Sequence, residues 1–238
     1  MPRYTDYNTF AWVYNQHWGG FAPLVLPTLK ELVLDQLPEG ARILDVCCGT
    51  GQLAQLLTGQ GFQVTGVDGS EEMLHFARQN ASAAAFILAD ARDFDAGTGF
   101  DAALSTFDSL NHVMSIEDLT GVFRNVRAAL ADGGVFVFDL NMDNSFQDRW
   151  QGSFGIVEDA YVVVMRNKYN ARRMTGYAFV TMLFQDESNP TSWTRTDLTL
   201  TQRNYSEEEV RAALMTAGFA GVETSCPMET GRTFFRCV

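Results

Sequence analysis

Cysteine is scarce: four in 238 residues, at Cys47, Cys48, Cys226 and Cys237. None form a C-x-x-C pair, and Cys47 and Cys48 are adjacent and poorly placed to bridge each other, so a disulfide framework is not expected. Histidine is scarcer still. His17, His75 and His112 are scattered without ligand spacing, and no metal site is expected. Basic charge is also short: 17 Lys and Arg stand against 29 Asp and Glu, a net charge of −12. That balance argues against nucleic acid or an anionic membrane as partner. No run approaches the ~18 apolar residues of a membrane span. The opening "MPRYTDYNTFAWVYNQHWGG" lacks a basic region followed by an unbroken apolar stretch, so a cytoplasmic protein is expected.

What the chain does have is a 46% hydrophobic composition with 19% charged residues, enough for one domain with a full core. Strand-like "ARILDV" (41–46), "FQVTGVD" (62–68), "AAFILAD" (84–90), "FDAALST" (100–106) and "GGVFVFDLN" (133–141) interleave with helices near 51–59, 70–80 and 116–130. Ser70 and Ser115 precede acidic first turns, as N-caps do, and Asp132-Gly133-Gly134 is expected to end the third helix. Such alternation predicts an α/β fold: a parallel sheet with helices on both faces. After Asn141, "GIVEDAYVVVMRNKY", "MTGYAFVTMLFQD" and "SWTRTDLTLTQRNY" read as antiparallel strands joined by "NARR" and "ESNP" turns. Ser206 and Glu209 form a capping box opening a helix, and "GVETSCPM" and "TFFRCV" follow as strands. The chain thus divides into 1–40, a helical, aromatic-rich cover; 41–141, the core; 142–204, an antiparallel β insertion; and 205–238, the elements that complete the core.

"ILDVCCGTG" (43–51) carries the chemistry: a buried strand, a glycine turn and then a helix. Glycine lets a ligand touch main-chain N–H groups at the helix start. Asp45, Asp68 and Asp90 close the first three strands, where open α/β sheets bind ligands. Three carboxylates on one edge suit a ribose diol, an adenine amine and a cationic tail, without phosphate. Gly49-Thr50-Gly51-Gln52-Leu53-Ala54 also satisfies the dinucleotide fingerprint, which leaves an NAD-dependent oxidoreductase as the rival. Asp45 opposes it, because it would set negative charge beside a pyrophosphate.

The chain resembles the class I S-adenosylmethionine-dependent methyltransferases in "ILDVCCGTG", "VDGSEEML", "LADARDF" and "FDAALSTFDSLNHV". The resemblance implies a Rossmann-like three-layer sandwich, with a mostly parallel seven-stranded sheet and an antiparallel last strand. It implies S-adenosylmethionine as cofactor, with the Gly49–Gly51 loop and Cys47 beneath the methionine part and Asp45 near its ammonium. Asp68 and Gly69 would meet the ribose; Asp90, and main chain at Ala91 or Arg92, the adenine; Met73, Phe107 and Tyr14 would flank the ligand. Cys47 departs from the family, which often has glycine or alanine there. For the acceptor, His112 could take a proton, Asp108 could assist, and Asn111 and Asp139 could position it. Within the family the chain resembles amino-sugar and glycine or sarcosine N-methyltransferases. N-methylation of a small amine is therefore expected, with O-methylation and non-catalytic cofactor binding as alternatives. The cluster Arg166, Lys168, Arg172 and Arg173 could receive an anionic acceptor or be a solvated turn, and the state expected is monomer or homodimer.

Overall fold

The computed structural model describes residues 5–227 and 232–238. Five strands run parallel: β1 (Arg42–Val46), β2 (Gln63–Asp68), β3 (Ala85–Leu88), β4 (Phe100–Ser105) and β5 (Leu130–Leu140). With β10 (Val222–Ser225) and β11 (Thr233–Cys237) they form one seven-stranded sheet, ordered β10-β11-β5-β4-β1-β2-β3, in which β11 lies antiparallel to both neighbours. Alternation along β1 decides which side chain faces which layer. Leu44 and Val46 join the cluster containing α5 (Ile116–Ala129) and α7 (Glu207–Thr216). Ile43 faces the opposite layer, with α2 (Phe21–Leu32) and α3 (Gln52–Thr58). Asp45 shares that side by parity. Rings stiffen the first layer: Phe138 stacks on Phe235 across β5 and β11, with centroids 4.9 Å apart.

Ser70 caps α4 (Glu71–Asn80) by accepting from Met73 N–H, Ser115 caps α5, and Ser206 with Glu209 closes both bonds of the capping box on α7. One boundary differs. α5 stops at Ala129, not at the glycine pair, because Leu130 turns extended, buries its side chain and pairs with Phe100. Gly133, at φ +77°, then sits beside a register shift between Phe100 and Ala102.

The segment after Asn141 holds four strands, where three were expected. The run "GIVEDAYVVVMRNKY" breaks at 158–160, where Glu158 N–H bonds Tyr161 O, into β6 (Gln151–Val157) and β7 (Tyr161–Asn170). β8 (Thr175–Asp186) and β9 (Asn189–Arg203) complete an antiparallel sheet ordered β6-β7-β8-β9. A short helix that sequence patterning did not show, α6 (Asp143–Arg149), precedes it. β6 escaped because "QGSFGIV" holds two glycines and is largely exposed, so it lacks an alternating pattern. Helix α1 (Thr5–His17) packs Phe10 and Val13 with Phe146, Val163, Val180 and Met182, on the inner face of this sheet. Gly176 lets the rings of Phe146 and Trp150 lie on β8, since a Cβ there would approach them to 2.7 and 2.6 Å. The strand expected over 221–228 covers Val222–Ser225, and its final residue lies outside the described part. Among the described residues no helix is long and apolar enough to cross a membrane.

Candidate active site

The glycine loop hangs on β2. Cys48 N–H donates to Val67 O at 3.1 Å and Gly49 N–H to Asp68 Oδ2 at 2.9 Å. The turn is tight enough that Cys47, Gly49 and Gly51 all have positive φ (+60°, +54° and +79°). That conformation explains why small residues suit position 47. Cys47 lines the cavity, while Cys48 packs over Gly66, where a Cβ would meet its sulfur at 2.7 Å. Burial, then the charge of Asp68, pushes both thiols well above their ordinary range, so neither is a nucleophile.

A cavity of about 300 Å³ opens above this loop, between the seven-stranded sheet and the four-stranded one. Its first half gathers Cys47, Gly49, Asp68, Gly69, Met73 and Ala91. Asp68 is pre-aimed: Oδ1 accepts Ser70 N–H at 2.9 Å while Oδ2 takes Gly49 N–H. Burial raises its pKa, and these main-chain bonds pull the other way. A smaller cavity of about 40 Å³ adjoins, sharing Tyr14, Trp18, Cys47 and Phe107, and Asp45 lies in its wall. The Asp45 carboxylate is buried, its Oδ2 has no partner, and burial with the charge of Asp68 pushes its pKa up to about 7. A buried carboxylate oxygen of this kind is unfavourable unless something cationic meets it.

The second half is built around His112. Its Nδ1–H donates to Thr201 O at 2.8 Å, which leaves the Nε2 lone pair facing the Tyr7 hydroxyl at 2.8 Å and Gln202 Nε2 at 3.2 Å. Burial lowers its pKa, opposed by the charge of Asp108, so the ring is a neutral base near pH 7. Gln202 also donates to Asp108 Oδ2 at 2.9 Å, and Asn141 Nδ2 donates to the same oxygen. Asp139, fully buried, accepts the main-chain N–H of Phe107 at 2.8 Å and of Asp108 at 2.5 Å. Those bonds hold two consecutive non-glycine residues at φ +64° and +52°. Arg232 pairs with Asp108 at 3.4 Å and Asp139 at 3.7 Å, and its guanidinium lies 4.7 and 4.8 Å from the ring centroids of Phe21 and Phe107.

The cavity walls therefore include Tyr14, Cys47, Gly49, Asp68, Gly69, Met73, Ala91, Phe107, Asp108 and His112 of the expected residues, with Asp45 in the adjoining space. Four others stand behind the wall. Gly51 abuts Ala77; Asp139 holds the Phe107–Asp108 turn; Asn111 donates to Asn141 O and Arg203 O at 3.0 and 2.8 Å. Asp90 bonds Arg92 through Nε at 2.8 Å and Nη2 at 2.5 Å. The sheet thus brings three aspartates to one edge but not into one cavity. Arg166, Lys168, Arg172 and Arg173 are exposed and absent from the cavity wall, because Met165 and Asn167 take the inward positions of β7. Tyr7, Trp150, Gln202 and Arg232 line the cavity without having been anticipated, since they come from far-apart segments that share no motif.

Residues 43–134 match a family model described as a methyltransferase domain. The putative methyltransferase YqeM of Bacillus subtilis (strain 168) is 33% identical over 218 residues, covering 85% of this chain and 86% of that one. The dTDP-3-amino-3,4,6-trideoxy-alpha-D-glucopyranose N,N-dimethyltransferase of Streptomyces venezuelae is 31% identical over 136 residues, 57% of each chain. The fold is shared with a solved S-adenosylmethionine-dependent methyltransferase from Clostridium acetobutylicum ATCC 824, with a TM-score of 0.76 and 22% identity over 97% of this chain and 98% of that one. A relative matched along most of both chains, on a sheet of this order, makes the chain a member of the S-adenosylmethionine-dependent methyltransferase family.

Proposed function

We propose that the protein transfers a methyl group to the nitrogen of a small amine, with the first half of the cavity holding the cofactor and the second the acceptor. The observation that carries the reading is the buried, unpartnered Oδ2 of Asp45 beside the glycine loop. It fits the ammonium of the methionine part and opposes a pyrophosphate. Asp68, with both oxygens held by main-chain N–H groups, would grip the ribose hydroxyls; Gly69 would lie beside them. Tyr14, Cys47 and Gly49 would border the tail, and Met73 and Ala91 the base. Asp90 would reach the adenine amine only on leaving Arg92.

S-adenosylmethionine supplies a methyl on a positively charged sulfur, open to in-line attack by a lone pair. The protein's part is to align that lone pair, exclude water and take one proton. His112 Nε2 is the acceptor for that proton, and the Thr201 carbonyl fixes its tautomer. Asp108 stabilises the imidazolium that results, through Gln202 and by its own charge. Phe107 and Phe10 shut the walls, while Asn111 and Asp139 hold the scaffold behind them. The relative named for a sugar N,N-dimethyltransferase supports nitrogen over oxygen as the target.

Calorimetric titration with S-adenosylmethionine and with NAD tests the first half; only the former is expected to bind. Labelled methyl transfer to matched amine and alcohol acceptors tests the second, with label expected in the amines. Label in alcohols alone would overturn the assignment of nitrogen.

A further inference from the structure

His112, Tyr7 and Gln202 gather at one end of the acceptor half; the other end is the inner face of the four-stranded sheet. There the register sets Asn167 of β7 beside Gly152 of β6 and Ala178 of β8, and Ala178 beside Leu200 of β9. Met165 lies two residues along the same strand face. Asn167 is thus an amide in an apolar field. It lines the cavity, yet its carboxamide oxygen is buried without a hydrogen-bond partner. Native structures rarely leave a polar atom in this state, and a leucine-sized apolar side chain would suit these neighbours better. A half-turn about χ2 exchanges the oxygen and the nitrogen, so a donor arriving in the cavity can draw the oxygen toward itself.

Resting on the reading of the second half as an amine site, we propose that Asn167 selects the acceptor by accepting a hydrogen bond from a hydroxyl on its body. The distance sets the class. Asn167 stands two strands across and two residues along from Gln202, or about 12 Å between Cα atoms by sheet spacings. Both side chains point inward, so the space between them fits one six-membered ring. The amine meets His112 at one edge, the hydroxyl meets Asn167 across the ring, and ring C–H groups lie on Ala178, Leu200 and Met165. The acceptor is a hydroxylated cyclic amine, not a chain-like amino acid.

The test compares trans-4-aminocyclohexanol with cyclohexylamine, in the wild type and in Asn167→Leu, by labelled methyl transfer and by calorimetry with the 238-residue protein. The wild type is expected to favour the hydroxylated amine roughly tenfold in kcat/KM and in affinity. Asn167→Leu is expected to erase that preference by lowering kcat/KM for the hydroxylated amine to the level of cyclohexylamine, and to raise the unfolding temperature of the free protein. Equal handling of the two amines by the wild type, or a preference that survives in Asn167→Leu, overturns the role of Asn167 and leaves N-methylation standing. Tighter, Asn167-dependent binding of the hydroxylated amine without methyl transfer to either amine sustains this role and overturns the N-methylation.

Discussion

Gly51 rests on Ala77: a Cβ built on the glycine would come within 2.9 Å of the Ala77 Cα, in the backbone of α4. The contact joins the glycine loop to the helix that carries Met73, so the two walls of the cofactor half are set by one backbone approach. Gly51 also has φ +79°. Gly51→Ala combines left-handed strain with a clash that only main-chain movement relieves, and is expected to cost about 3 kcal/mol or more. Gly49→Ala would place its Cβ 3.7 Å from the Tyr14 ring, an ordinary contact, and pays strain alone, about 1–2 kcal/mol. Urea unfolding of both variants measures the difference.

Asp45 links cofactor affinity to pH. Its carboxyl, pushed up to about 7 in the free protein, must be ionised to hold an ammonium group. Affinity for S-adenosylmethionine is therefore expected to fall as pH drops from 8 to 6, and Asp45→Asn to bind weakly at every pH without that slope. Stability runs the other way. A carboxyl raised in the folded state keeps a proton that the unfolded chain has lost between about pH 4 and 7, so its contribution declines as pH rises through that window. The ligand-free Asp45→Asn variant should melt above the wild type at pH 8, with the gap narrowing as pH falls below about 7 and closing near about pH 4. Scanning calorimetry across this range reads both limbs.

Asp68 and Asp90 should not be equivalent. Asp68 lines the cavity with its oxygens held in place, whereas Asp90 is occupied by Arg92. Asp68→Asn is expected to weaken cofactor binding by tenfold to a hundredfold, and Asp90→Asn by less than tenfold. Equal losses would mean that Asp90 leaves Arg92 completely on binding.

His112→Asn should lower kcat about a hundredfold with little change in cofactor affinity. Because burial holds the imidazole below its ordinary pKa of 6.5, the acidic limb of the wild-type kcat profile should fall below that pH and vanish in the variant. Gln202→Leu keeps the base but strips one donor from Asp108, and should move that limb while retaining most of the activity. Stopped-time assays at saturating ligands, from pH 5 to 9, separate these outcomes.

Much of the cofactor half was legible because a parallel sheet puts consecutive strand ends on one edge. Asp45, Gly49, Asp68, Met73 and Phe107 lie within three short motifs, and the glycine turn reads directly from residue type. The acceptor half was less so. Tyr7, Gln202 and Arg232 meet Asp108 and His112 through separations of 90 to 124 residues, or 105 for Tyr7. The facing of Gln202 depends on the β8–β9 register, while Tyr7 comes from α1 and Arg232 from the residue before β11, so no local pattern links the three. Asn111 and Asp139 show a second limit. A polar residue beside a cavity can serve a ligand or the main chain, and composition alone does not distinguish them; here Asn111 donates to main-chain carbonyls and Asp139 accepts from main-chain N–H groups.

Helix α1 leans on everything that frames the cavity. Asn15 Oδ1 takes Gln52 and Asn80 at 3.1 and 2.7 Å, Asn8 takes Ser70 at 2.6 Å, Tyr7 reaches His112, and His17 meets Tyr161 of β7 at 2.8 Å. One helix therefore borders both halves of the cavity. Exchange of donor and product is expected to need α1 to move, with the spent donor leaving after the methylated product. Product-inhibition patterns should then show a compulsory order, with the amine arriving last and leaving first.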